Sequence, residues 1–214
     1  MHMKHFKDRH DAGRQLAELL EKYKDKDVIV YALPRGGVVI AEEIAKFLHA
    51  SLDLIFAHKI GHPYQEEYAI AAISEHGLIV EASDELRFVD KKWFEKEKER
   101  QVLEMKRRRA LYLKNIPKKS AKDKIAIIVD DGIATGLTMQ AGIKELKSNQ
   151  PKKIIAAVPV SPKSTAQLLA SMVDEFVAIE IPPDGQFLGA VGAYYDEFYQ
   201  VEDQEVIDIL SQNS

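Results

Sequence analysis

The sequence predicts an α/β fold built on a doubly wound, mostly parallel sheet, and three observations predict it. Apolar runs of strand length at 28–32, 52–57, 125–129, 154–160 and 175–179 alternate with segments whose apolar residues recur at helical spacing. The runs are almost continuously apolar, as strands covered on both faces are. Two of them end in small-residue turns that open a helix, at Arg35-Gly36-Gly37 and at Ala134-Thr135-Gly136.

With 214 residues, 46% of them hydrophobic, the chain can bury a sizeable core as one domain spanning 1–214. Thirty basic against 34 acidic residues leave a formal net charge of −4, so the total charge does not point to nucleic acid or a membrane as partner. Cysteine is absent, which excludes disulfides, thiolate catalysis and cysteine-based zinc sites. No run approaches the roughly 18 apolar residues of a spanning helix, and the N-terminus lacks a signal-peptide core. A soluble, cytoplasmic protein is expected.

Taken in order, residues 1–10 are polar, with His2, His5 and His10 among Lys and Arg, and are expected to be a solvated leader. Asp11 is the expected cap of a first helix carrying Leu16, Leu19, Leu20 and Tyr23. The strand at 28–32 runs into Leu33-Pro34-Arg35-Gly36-Gly37, followed by a helix with Val39, Ile40, Ile44, Ala45 and Leu48 on its apolar face. Amide donors beside a fixed cation make that loop either an anion site or a tight turn with a surface Arg. After the strand at 52–57, Lys59 is expected at the strand's end, on the sheet edge where open α/β sheets bind ligands. Residues 69–74 and 78–81 read as a hairpin around Glu75-His76-Gly77, with His76 an ordinary turn residue.

From Asp90 to Lys114 a dense charge run reads as one long, exposed helix, the centre of a helical insertion at about 85–120. Its basic stretch Lys106-Arg107-Arg108-Arg109 lacks interleaved aromatics, which favours a solvated face over a nucleic-acid surface. Beyond the strand at 154–160 come a helix from Ser161-Pro162 to about Val173 and the strand at 175–179. Residues 182–214 then change character, with a Pro- and Gly-containing loop, the aromatics Phe187, Tyr194, Tyr195, Phe198 and Tyr199, and a final helix over 203–210.

The stretch that carries chemistry is Ile125-Ala126-Ile127-Ile128-Val129-Asp130-Asp131-Gly132-Ile133-Ala134-Thr135-Gly136-Leu137-Thr138. The free amides of a helix start can cradle a phosphate, and Gly136 lets it approach without a Cβ in the way. The two carboxylates just before it would repel a phosphate, so they are expected to face sugar hydroxyls or a hydrated cation. The sequence holds no G-x-G-x-x-G, no P-loop and no G-x-S-x-G elbow. A ligand with a phosphate at one end, vicinal hydroxyls in the middle and a metal-masked anionic group at the other fits this pattern, as phosphoribosyl pyrophosphate does.

Residues 127–131 with 135–138 resemble the signature of type I phosphoribosyltransferases. The patches Asp11-Ala12-Gly13-Arg14, Pro34-Arg35-Gly36-Gly37, Lys59-Ile60-Gly61 and Val191-Gly192-Ala193 extend the resemblance, over nearly the whole chain, to a subgroup of predicted bacterial and archaeal phosphoribosyltransferases. The resemblance implies that Asp130 and Asp131 bind the ribose hydroxyls and that Ala134, Thr135, Gly136, Leu137 and Thr138 hold the 5′-phosphate. It implies that Arg35, Gly36, Gly37 and Lys59 bind pyrophosphate, with Arg35 and Lys59 assisting its departure. Mg²⁺ is the implied cofactor, carried mainly by the substrate and reached by Asp130 or Asp131 through water. A homodimer is implied, as is a small hood formed by the chain ends, here 182–214, over the acceptor. Phe187, Tyr194, Tyr195 and Phe198 are candidate stacking surfaces for it, or else core. Ala134 stands where 6-oxopurine enzymes carry an Asp that contacts the base, which argues against a hypoxanthine-guanine type of enzyme. Two readings of function follow: a Mg²⁺-dependent transferase acting on an unidentified acceptor, or a regulatory module that senses the same ligand or a nucleotide, motivated by the basic run at 106–109.

Overall fold

A computed structural model describes residues 5–82, 84–114 and 116–213; His2 lies outside them. In chain order the elements are α1 (Arg9–Leu19), β1 (Val28–Ala32), α2 (Gly36–Leu48), β2 (Ser51–Leu54), β3 (Ala57–His62), β4 (Gln65–Ser74), β5 (Ile79–Glu81), α3 (Lys91–Tyr112), β6 (Ile125–Val129), α4 (Leu137–Ser148), β7 (Lys153–Val160), α5 (Lys163–Ala170), β8 (Glu175–Glu180) and α6 (Asp203–Gln212). Strands β2-β1-β6-β7-β8, in that order, form an all-parallel sheet.

Both faces of the sheet are covered, and the side chains of each strand divide between them as the strand period requires. Val28, Val30 and Ala32 join the core made with α1 and α2, while Ile29 and Tyr31 join the one made with α4. The continuous apolar runs are thus alternating strands whose two faces are both buried. Strand order reverses between β1 and β6: the chain leaves β1 toward β2 and leaves β6 toward β7. Their register pairs Ala32 with Val129, and Leu33 N–H donates to Val129 O at 2.9 Å, so the two loops that follow start side by side. Such a switch point opens a crevice at the carboxyl ends of the strands.

Five expectations are corrected. Asp8, and not Asp11, caps α1: its Oδ1 accepts the N–H of Asp11 at 2.8 Å, and Asp11 reaches back to the N–H of Lys7. The described part of the leader is no solvated tail, because Phe6 is fully buried. Residues 6 and 7 run beside 194–197, with Phe6 N–H donating to Tyr194 O and Asp196 N–H to Phe6 O, both at 2.8 Å. One apolar side chain in a polar stretch carries no periodicity, so its burial depends on a groove made at the far end of the chain.

The run at 52–57 is not one strand. β2 stops at Leu54 and the chain enters a second sheet, β3-β4-β5, which is antiparallel. Lys59 therefore lies within β3 and not at the end of a strand of the main sheet. Both halves of the run are buried, with Phe56 stacked on Tyr112, and apolar continuity cannot reveal a change of direction.

The long helix α3 is capped by Asp90, which accepts the N–H of Trp93 at 2.8 Å, and only its Met105 and Tyr112 are buried. Its last basic residue departs from a solvated face. Arg109 turns inward, donating from Nε to Glu75 at 2.7 Å and from Nη2 to Leu54 O at 2.9 Å. Among the described residues, no helix is long and apolar enough to cross a membrane.

Candidate active site

The site forms where β1 and β6 end. Val129 leads into Asp130 and Asp131, and the first of these acids fixes the second: Asp130 Oδ1 accepts the N–H of Asp131 at 2.9 Å. The loop after β1 lies directly against the pair. A Cβ added to Gly36 would fall 1.9 Å from Asp131 Oδ2, and one on Gly37 would fall 2.9 Å from Val129 O. Glycine is therefore required there by close approach, and the Arg35-Gly36-Gly37 loop belongs to the same site as the acids. The Pro34–Arg35 peptide is cis.

Two helices open at this edge. α2 begins at Gly36 and α4 at Leu137, and the first-turn amides of a helix have no intrahelical acceptor. Gly136 caps α4 in the left-handed conformation, φ 72°, with Thr165 packed where its Cβ would be. A cavity of about 190 Å³ opens over this turn, lined among others by Lys59, Asp130, Thr135, Thr138 and Val191. Lys59 thus reaches the site from the second sheet. It also lines a larger cavity of about 410 Å³ between β3 and α3, with Trp93, Glu97 and Arg100. Arg35 stands on the same edge, but its Nη1 points toward α6, 3.5 Å from Asp203 Oδ1.

Electrostatically the acid pair is under load. Burial raises the Asp130 carboxyl well above the usual carboxylate range and the charge of Asp131 raises it further, against the Asp131 N–H, Arg9 and Lys59. Burial also raises Asp131, while Arg9 opposes the shift by charge and by hydrogen bond. The cation that holds Asp131 was not foreseen in the sequence. Arg9, only 5% exposed, donates from Nε to Asp131 Oδ2 at 2.8 Å and from Nη1 to Tyr199 O at 2.7 Å. The weak signals available for it were Phe6 in a polar stretch and the cap residue Asp8 beside it.

The tail aromatics divide. Tyr194 is fully buried, and its hydroxyl accepts Leu188 N–H at 3.2 Å. Tyr195 is 6% exposed and donates its hydroxyl to Asp131 O at 2.6 Å. Both are core, the second of the two readings the sequence offered, and not open stacking faces. With both rings buried, neither has a face open to a ligand. Phe187 is half-buried against Tyr194, with ring centroids 5.5 Å apart.

The arrangement pairs two carboxylates with two helix starts and two cations at one switch point. The sequence model of the phosphoribosyl transferase domain matches residues 5–184. The chain belongs to the phosphoribosyl transferase family. Two Mycobacterium tuberculosis proteins, from strains CDC 1551 and H37Rv, are described as putative phosphoribosyl transferases. Each is 39% identical to this chain over 210 residues, covering 97% of it and 47% of the relative. The chain thus spans about half the length of the curated relatives it matches. The crystal structure of TT1426 from Thermus thermophilus superposes with a TM-score of 0.82 at 36% identity, covering 98% of this chain and 99% of that one. AQ2163 from Aquifex aeolicus, at 11% identity, a TM-score of 0.51 and coverage of 82% and 75%, shares the fold.

Gly132, directly after the acid pair, has its cause in the tertiary structure. Its φ is 150°, and Val191 of the tail lies 2.4 Å from where its Cβ would be. The chain end is seated on the acid loop, and a side chain at 132 would displace it.

Proposed function

We propose that this chain transfers a phosphoribosyl group from phosphoribosyl pyrophosphate to a nitrogenous acceptor, releasing pyrophosphate. The observation that carries the reading is the placement of an acid pair between two helix starts, at the point where strand order reverses. Carboxylates repel an anion and accept from hydroxyls, so a ligand anionic at both ends and hydroxylated between them matches the crevice.

In this reading Asp130 and Asp131 accept from the ribose hydroxyls, and residues 134–138 take the 5′-phosphate on the α4 amides. Arg35, Gly36, Gly37 and Lys59 receive the pyrophosphate. As it leaves C1, positive charge develops on the ribose, and fixed carboxylates nearby stabilise that charge without reorganising. The acid pair fits a Mg²⁺ held chiefly by the substrate. One oxygen of each acid already has a protein partner, and among the described residues the only cluster of three metal-type ligands is His10, Glu42 and Glu43. A hard cation bound through phosphates and water suits so sparse a donor set, and when bound it neutralises the leaving group.

Part of the basic run that motivates the sensor reading is engaged within the fold, Arg108 with Glu104 and Arg109 with Glu75. A base panel with donor and Mg²⁺, scored for pyrophosphate release, separates the two. Release with at least one base supports transfer, and tight donor binding without turnover supports a sensor. In the same assay Asp130→Asn should weaken donor binding by at least about tenfold, the value of one lost hydrogen bond to a charged group. Undiminished binding would remove the acid pair from the site.

A further inference from the structure

We propose that Arg9 is a positioning residue of the sugar site: it occupies one oxygen of Asp131, so that the acid pair presents one free oxygen per carboxylate, one for each of two neighbouring hydroxyls. The inference rests on the reading of Asp130 and Asp131 as sugar ligands and goes beyond it by naming what sets their geometry.

The hydrogen-bond pattern of the pair leads to this. Asp130 gives Oδ1 to the N–H of Asp131, and Asp131 gives Oδ2 to Arg9 Nε. Among the described residues neither remaining oxygen has a protein hydrogen bond. Without Arg9, the Asp131 carboxylate could turn about its last torsion, and the two acids could present three oxygens in several arrangements. With it, a single arrangement remains, matched to a vicinal diol. Tyr195 secures the same residue from the backbone side through its bond to Asp131 O.

Arg9 is itself held on all sides. Its Nη1 donates to Tyr199 O, and its guanidinium carbon lies 3.8 Å from the centroid of the Phe198 ring. Stacking of that kind restricts a guanidinium plane. Phe198 reaches this position because residue 192 is glycine: a Cβ there would fall 2.7 Å from Phe198 Cδ1. Gly36 leaves room on the other side, where a Cβ would lie 3.1 Å from Arg9 Nε. The two chain ends thus converge on one cation, and that cation acts on a carboxylate 122 residues away in sequence.

Titration calorimetry with ribose 5-phosphate, its 2-deoxy and 3-deoxy analogues and inorganic phosphate tests this on the wild type, Arg9→Met and Arg9→Lys. The wild type should favour ribose 5-phosphate over each deoxy analogue by about tenfold, one charge-assisted hydrogen bond. Arg9→Met should collapse at least one of those two ratios to near unity while leaving phosphate affinity within about twofold, a split that general loosening of the fold would not produce. Arg9→Lys keeps the charge but cannot serve Asp131 and Tyr199 O together, so its ratio should fall between the two. If Arg9→Met fails to fold by circular dichroism, Arg9→Lys decides. Unchanged discrimination in either folded variant overturns the role of Arg9. A wild type that binds ribose 5-phosphate no better than both deoxy analogues would instead overturn the sugar-site reading itself.

Discussion

The acid pair and the helix α3 use the same residue types to opposite ends. Along α3, Glu97 pairs with Arg100 and Glu104 with both Arg107 and Arg108, all three or four residues apart, with the Arg100 and Arg107 side chains well exposed. At the site, Asp131 pairs with Arg9 across 122 residues, with side chains 17% and 5% exposed. The helical pairs form wherever the helix forms and are worth a few tenths of a kcal/mol each. The buried pair exists only after the two chain ends have docked, and breaking it leaves a charge with no water to turn to. An ion pair at short sequence spacing therefore reports helix, while one that needs the whole fold marks a position where charge is held in place.

Substitutions should expose that difference, beginning with the buried pair. Asp131→Ala strands Arg9 and should cost about 3–5 kcal/mol, lowering Tm by roughly 10 °C or more in a calorimetric scan. Burial raises both acids, but among the described residues no cation is hydrogen-bonded to Asp130, so it should behave in the other direction. The folded-state value of Asp130 is raised, so this group withdraws stability as pH rises through that value. Asp130→Asn should therefore hold or raise Tm at pH 7, with the gain vanishing as the solution is acidified below the ordinary carboxylate value. A drop in Tm at pH 7 comparable to that of Asp131→Ala would erase the distinction between the two acids.

Gly36→Ala comes next. Its Cβ must displace the Asp131 carboxylate that Arg9 holds, so about 1–3 kcal/mol of stability should go, together with measurable binding of ribose 5-phosphate. Intact binding would show that the loop and the acids are not one site. The smallest effect belongs to α3. Arg107 and Arg108 hold the Glu104 carboxyl at about 2, below its ordinary 4.5, so its pairing stabilises above the ordinary value and is lost as pH falls toward 2. Glu104 is a third exposed, and screening reduces its worth to about 0.5 kcal/mol. Glu104→Gln should lower Tm by about 1–2 °C at pH 7, a gap that closes toward pH 2. A loss as large as that of Asp131→Ala would contradict the contrast between local and long-range pairs.

Much of the fold could be read in advance because its signals are local. The alternation of buried strands with helices, the long α3 with Asp90 at its start, and the turn at Gly136 all follow from spacing within a dozen residues. What escaped lay between distant segments. The break after Leu54 was hidden because both halves of the run are buried. The sequence left Tyr194 and Tyr195 between core and stacking face, a choice that contacts with Phe6 and Asp131 decide, and the burial of Arg9 depends on Phe198 and Tyr199.

By itself the sequence determined that two acids would stand at the end of a buried strand, ahead of an anion-ready helix start, and that a second glycine turn would face the same edge. Strand and helix periods and the backbone freedom of glycine fix those features without reference to the rest of the chain. The tertiary structure alone decided that Lys59 enters from a separate sheet, that Gly132 must leave room for Val191, and that a residue from the polar N-terminal stretch neutralises one of the two acids. No periodicity links position 9 to position 131. Only the docking of both chain ends at the switch point brings that cation and that carboxylate to 2.8 Å, where loss of water makes each depend on the other.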